Sequence, residues 1–301
     1  MRAKGMALRA AVLTAALTAC AWPAGAAERI GNCEVSRSKA AFPIVPAAPG
    51  ALTVQVHLPA PAWWNGDAPD RIADGFEYCL AANIAYRTGL DRVEVVNVSW
   101  PGTAAGASFW EEMLGGQKLK FDLALSEISI TPERAREVAF SIPYYRSDIG
   151  TMAKAGRGLD LTRLSELRVG VHAGTTGAAF VKERLGLQTP PREFGDTPAM
   201  FMALQSGRID VAMTDTATLL SQAAMSGGRF EVIGQFATGE SYGAIYPAGS
   251  VNAATFDRVI QSLIDDGTMA QLTDTWLTRV WGQDPAKVPY LALPPVTAAK
   301  S

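Results

Sequence analysis

Histidine and cysteine are scarce in this 301-residue chain, with two of the former and three of the latter. The histidines, His57 and His172, lie far apart and show no ligand-type spacing, which argues against a zinc centre. No basic run occurs, and 27 Lys and Arg are outnumbered by 29 Asp and Glu, which argues against nucleic acid as a partner. A Gly-Lys-Ser/Thr run is missing, as is a full Gly-x-Gly-x-x-Gly, so nucleotide binding is disfavoured and no cofactor is expected. Beyond the N-terminus no segment approaches the roughly 18 uninterrupted apolar residues of a membrane span, so the mature chain reads as free of one. There is no internal repeat.

What is present begins with an export signal over residues 1–27. Arg2, Lys4 and Arg9 precede the apolar stretch Ala10–Ala19, and the small residues after Pro23 suit a signal peptidase. A second reading competes. Leu17-Thr18-Ala19-Cys20 resembles a lipobox, in which a lipidated Cys20 becomes the first mature residue and tethers the protein to a membrane. Both readings send the chain to the periplasm. Removal of 27 residues leaves 301 − 27 = 274, enough for two ordinary domains, with a charge of 24 − 29 = −5. Residues 28–50 read as an N-terminal extension or linker. Cys33 and Cys79 either form a disulfide, which would pin this extension to the first helix, or remain two thiols with Cys79 buried.

Strand-like and helix-like segments then alternate, which predicts α/β architecture. Leu52–Leu58 and Val93–Val98 read as strands around a helix that opens at Asp74-Gly75 and stops at Gly89. Phe109–Leu114 reads as helical. Thr131-Pro132 reads as a helix start, with Thr as cap and Pro in the first turn. A second block begins near Leu161, with a strand to His172, a Gly-Thr-Thr-Gly turn into a helix, a helix capped at Thr197-Pro198, and a strand over Ile209–Met213. Phe256, Val259, Ile260, Leu263 and Ile264 form one helical stripe, and Met269, Leu272, Trp276, Leu277 and Val280 another.

Three places carry chemistry. Arg134 falls where a helix first turn favours acids, and a bound anion gripped bidentately would explain it, as would pairing with a neighbouring Glu. Ser126, Ser129 and Thr131 supply hydroxyls nearby. The turn after Val169–His172 offers Thr175, Thr176 and free N–H groups at a helix N-terminus, either an anion pocket or an ordinary turn. Asp215 follows the carboxyl end of a strand, where open α/β sheets bind ligands, and would either hold an ammonium group or cap the next helix.

SITPERAREVAFSIPYY, followed in order by VGVHAGTT, LQSGRIDVAMTD and DDGTMAQLTDTW, resembles the solute-binding proteins of polar amino-acid uptake, bacterial family 3, from about residue 52 to 281. The resemblance implies a type II periplasmic binding protein: two α/β lobes joined by two crossovers, lobe 1 over 51–148 plus 245–301 and lobe 2 over 149–244. It implies a monomer without catalysis that takes an amino acid or related zwitterion in the interlobe cleft and works with an ABC permease and ATPase. Arg134, Ser129 and Thr176 are then expected at the ligand carboxylate, Asp215 and Ser126 at the ammonium, and Phe109 against the ligand side chain, with His172 and Thr175 beside them. Where relatives carry an aromatic after the first strand this chain reads His57-Leu58-Pro59-Ala60, so Trp63 or Trp64 either substitutes or packs under a loop. Glu127 stands where relatives usually have Gly or Ser. It points either to a ligand with an extra positive charge or to pairing with Arg146 or Lys120. Two other functions stay open: a cyclohexadienyl-dehydratase-like enzyme, whose characteristic acid would fall where Gly177 and Ala178 stand, or a ligand-binding accessory of a sensor or a periplasmic dehydrogenase.

Overall fold

The computed structural model describes residues 28–36, 39–100 and 120–293. The expected lipidation site Cys20 and the expected helix around Phe109 lie outside these residues.

A two-stranded hairpin, β1 (Arg29–Ile30) and β2 (Cys33–Glu34), precedes the first sheet. That sheet is built from β3 (Ala51–Val56), β4 (Arg92–Asn97), β5 (Leu123–Ala124), β6 (Ala139–Phe140) and β12 (Ile245–Tyr246) in the order β4-β3-β5-β12-β6. β3 runs parallel to both neighbours, and β12 returns antiparallel to β5 and β6. Helix α1 (Phe76–Thr88) joins β3 to β4 and ends on Gly89, which takes the left-handed conformation a non-glycine side chain resists.

α1 is buried along its whole length. It lies between the first sheet and the C-terminal helices α5 (Ala253–Asp265) and α6 (Thr268–Thr273), which runs on through Trp281. Burial all round forces its polar residues to find partners. Arg87 donates to Asp266 at 2.7 Å and to the Ser262 hydroxyl at 2.7 Å, and the Asn83 amide donates to Cys79 O at 2.9 Å. Cys79 bonds to Cys33, with Cα atoms 5.3 Å apart, so the extension is stitched to α1. Of the two expected stripes, Ile264 and Val280 are exposed, whereas Phe256, Val259, Ile260, Leu263 and Leu277 are fully buried.

The second sheet has the order β11-β7-β10-β8-β9, from β7 (Tyr145–Lys154), β8 (Val169–His172), β9 (Arg192–Phe194), β10 (Val211–Asp215) and β11 (Phe230–Tyr242). Helices α2 (Thr176–Arg184), α3 (Thr197–Gln205) and α4 (Thr216–Met225) complete this lobe. α2 packs on a second apolar core that includes Ile149, Val171, Val181 and Met213, whereas Leu204 of α3 and Leu219 of α4 belong to the apolar cluster shared with lobe 1. β7 and β11 are the long antiparallel pair through which the chain leaves the first lobe and returns to it. The cap of α3 is Asp196, which accepts the Ala199 N–H at 2.7 Å, in place of the expected Thr197.

The C-terminal segment departs from the expectation that everything after residue 245 stays with lobe 1. The Gln235 N–H donates to Pro289 O at 2.9 Å, and the Leu291 N–H donates to Gln235 O at 2.7 Å. Leu291 joins the second core, lying where a Cβ on Gly234 would collide with it at 2.8 Å.

Candidate ligand-binding site

A cavity of about 410 Å³ opens between the lobes, and every expected ligand residue that the structure describes borders it. Arg134 reaches it from lobe 1. The Thr131-Pro132 start leads into a single 3-10 turn, Arg134–Arg136, and not into a helix. So short a turn has no appreciable macrodipole, and the expected clash between Arg134 and a helix N-terminus does not arise. Thr131 still acts as a local cap, its hydroxyl accepting the Arg134 N–H at 3.2 Å. The guanidinium donates to Ser129 O at 2.9 Å and crosses to Gly174 O in lobe 2 at 3.3 Å.

Asp215 ends β10 and sits at the cap position of α4 without making a cap bond. Its carboxylate instead accepts the Tyr242 hydroxyl. Burial, followed by the charge of Glu240, pushes its pKa up to about 7, against the pull of Tyr242 and Arg134.

Glu127 adopts φ +51°, a left-handed conformation that glycine takes freely and other residues resist. Its place is held at two points. The Glu127 N–H donates to Glu77 Oε1 at 2.8 Å, and its own Oε2 accepts the Thr218 hydroxyl of lobe 2 at 2.7 Å. Glu77 is itself wholly buried and also accepts the Trp64 indole N–H at 2.6 Å and the Tyr144 hydroxyl. Neither Arg146 nor Lys120, the partners weighed from sequence, is what meets this carboxylate in the hydrogen-bond network around it. Burial, followed by the charges of Glu77 and then Asp215, raises the Glu127 pKa well above the ordinary carboxylate range.

Trp64 therefore anchors a buried network, and Trp63 is 1% exposed with its ring edge-on to Phe76 and Tyr145. The aromatic wall is made elsewhere. His57, Trp100 and His172 bring their ring centroids within 5.8–6.3 Å of one another. Burial lowers the His57 pKa, and burial together with His57 lowers that of His172 to about 4, so both rings are neutral near pH 7. Thr175 is chiefly a cap, accepting the Ala178 N–H at 3.1 Å, while Ser126 Oγ accepts the His57 N–H at 3.0 Å.

Sequence reasoning missed Glu240, Tyr242, Trp100 and Thr218. No local motif marks them, because each reaches the site through pairing or packing distant in sequence. For His57 the signal was present: it fills the place after the first strand where an aromatic was expected.

Two α/β lobes, two long connecting strands and an interlobe cavity bearing an arginine and an aspartate define a two-lobed binding protein. Residues 53–279 match the bacterial extracellular solute-binding proteins, family 3, and the chain belongs to that family. It is 26% identical over 166 residues to ABC transporter arginine-binding protein 1 of Escherichia coli (strain K12), covering 53% of this chain and 68% of that protein. It is 24% identical over 221 residues to the L-cystine-binding protein TcyJ of the same strain, covering 72% and 78%. Among solved structures, an ancestral arginine-binding protein bound to arginine superposes with a TM-score of 0.63 at 26% identity, over 75% of this chain and 98% of that one.

Proposed function

We propose that this protein is the solute-capturing component of an ABC uptake system in the periplasm, and that its cleft takes an amino acid or related zwitterion with an additional positive charge. The observation that carries this reading is the meeting of Arg134 from one lobe with Asp215 from the other at a single cavity. Charge balance supports the cationic preference. Glu127 and Asp215 border the cavity with Arg134, so acid exceeds base there. A ligand cation would release both carboxyls from the protonated state that burial favours. The neutral rings of His57, Trp100 and His172 offer a face for an aliphatic or guanidinium side chain. Of the two relatives, the arginine-binding protein agrees with a ligand of this charge, and the L-cystine-binding protein with an amino-acid ligand more broadly.

Domain limits follow from the same reading: residues 51–148 and 245–284 as lobe 1, residues 149–244 as lobe 2, and 285–291 as a strap onto lobe 2. The absence of an acid at Gly177 and Ala178 favours capture over the elimination chemistry of a cyclohexadienyl dehydratase. Ligand contacts to both lobes at once would favour the closed arrangement. A thermal-shift screen of the twenty amino acids and ornithine tests the proposal. Ligand at about 100 times its dissociation constant should add about 2.7 kcal/mol of stability. If lysine, arginine and ornithine all leave the melting temperature unmoved while neutral amino acids raise it, the cationic reading fails.

A further inference from the structure

The hydroxyls expected to hold a ligand carboxylate are already holding one. Ser129 donates to Glu240 Oε2 at 2.6 Å, and Thr176, from the other lobe, donates to the same oxygen at 2.7 Å. The two hydroxyl oxygens stand 3.5 Å apart and so define one seat. Glu240 also acts on Arg134, whose protonated state its negative charge supports. The side chain comes from β11, where the pairing with β7 breaks register between Phe236 and Glu240 and Gly239 turns at φ +68°. A carboxylate delivered from the strand that joins the lobes thus fills the hydroxyl pair that both lobes contribute.

We propose that Glu240 is an intramolecular stand-in for the ligand's carboxylate, seated on Ser129 and Thr176 in the empty cleft and competing there with carboxylate-bearing solutes. The proposal rests on the reading of this cleft as an amino-acid site. Two anions cannot share the seat, since both require the same two hydroxyl protons and repel one another beside them. A solute with a carboxylate therefore binds only the fraction of molecules in which Glu240 has swung out, and its apparent dissociation constant rises by the inverse of that fraction. A solute of the same shape without a carboxylate suffers no such competition. Glu240 is in this sense a specificity-determining residue. It narrows the gap in affinity between an amino acid and the amine that remains when its carboxylate is removed.

Matched ligand pairs read this directly. Lysine and cadaverine differ only in the α-carboxylate, as do arginine and agmatine. Their affinities for the purified whole protein and for the Glu240→Ala and Glu240→Gln variants are measured by calorimetry. A buffer of about pH 8.5 keeps Asp215 ionised throughout. With Glu240 seated in about nine-tenths of empty molecules, both variants should bind the amino acid about tenfold more tightly, and the amine no more tightly than the wild type does. Equal changes for both members of a pair would make Glu240 a lobe latch and overturn the proposal, as would an unchanged or weaker affinity for the amino acid. In those cases the amino-acid reading of the cleft survives. If no member of either pair binds any of the three proteins, that reading falls and the proposal with it. Thermal melting of both variants checks folding. The glutamine variant keeps the shape of the side chain, so a failure of both to fold would assign Glu240 a structural role and equally end the proposal.

Discussion

Ligand affinity should depend steeply on pH, and Asp215 sets the slope. Its carboxyl is buried and faces Glu240, and these causes raise its pKa to about 7. An ammonium group binds the ionised form, so the apparent dissociation constant is multiplied by one plus the ratio of protonated to ionised Asp215. That factor is about 100 near pH 5, about 2 near pH 7 and close to 1 near pH 8. A cationic amino acid should therefore bind about 90-fold more weakly near pH 5 than near pH 8, a difference of about 2.7 kcal/mol. Calorimetry in buffers of different ionisation enthalpy should also register about 0.9 proton released per ligand near pH 6. If the ligand cation neutralises Glu127 as well, proton release exceeds one, because that carboxyl too is raised.

The empty protein behaves in the opposite sense. A carboxyl with a raised folded pKa contributes stability that is fully present below its unfolded value of 3.8 and is lost as pH rises through about 7. Thermal melts of the ligand-free protein should accordingly fall over that window, and ligand should restore them most at high pH. Asp215→Asn removes the Asp215 share of both slopes and leaves that of Glu127. An affinity that is flat between about pH 5 and about pH 8, or that strengthens on acidification, would refute this account of Asp215.

Arg134→Ala should weaken binding of carboxylate ligands at least about tenfold, the effect of losing one charge-assisted bond of about 1.5–3 kcal/mol, as read by calorimetry. Glu127→Gly should remove the left-handed strain of order 1–2 kcal/mol and hold or raise the melting temperature, while reducing the preference for cationic over neutral amino acids. Unchanged preference in that variant would detach Glu127 from the ligand. The paired change Cys33→Ser and Cys79→Ala opens a covalent loop whose ends are 46 residues apart, and denaturant unfolding should show a loss of about 4 kcal/mol from the chain-entropy relation.

The lobes were legible because hydrophobic period and turn chemistry agree along most of the chain. α1 was visible from the Asp74-Gly75 opening and the Gly89 stop, and both bounds hold to within a residue or two. At Thr131 the local rules misled: the Thr-Pro signature marks a start but cannot tell how far a helix runs, and here only a single 3-10 turn follows. Asp215 was ambiguous between cap and ligand group; the structure shows it making no cap bond and accepting the hydroxyl of Tyr242, 27 residues away. Glu127 was noticed as a departure from glycine. Its backbone conformation explains the usual glycine, and Glu77, 50 residues earlier, holds that backbone through its N–H while its charge disfavours the ionised acid. Glu240 could not have been found locally, since its seat is assembled from hydroxyls 111 and 64 residues away.

The tail that lies along Gln235 adds a further link between the lobes, beyond the two connecting strands and the side-chain bonds across the cleft. Any opening of the cleft must either carry this segment with lobe 2 or peel it away, and the same holds for Trp281, whose indole N–H donates to the Ser221 hydroxyl of α4 at 2.9 Å. A fluorophore attached at the half-exposed Tyr290 would thus travel with lobe 2. Paired with a second dye on α6, it would convert domain movement into an optical signal without a probe entering the binding pocket.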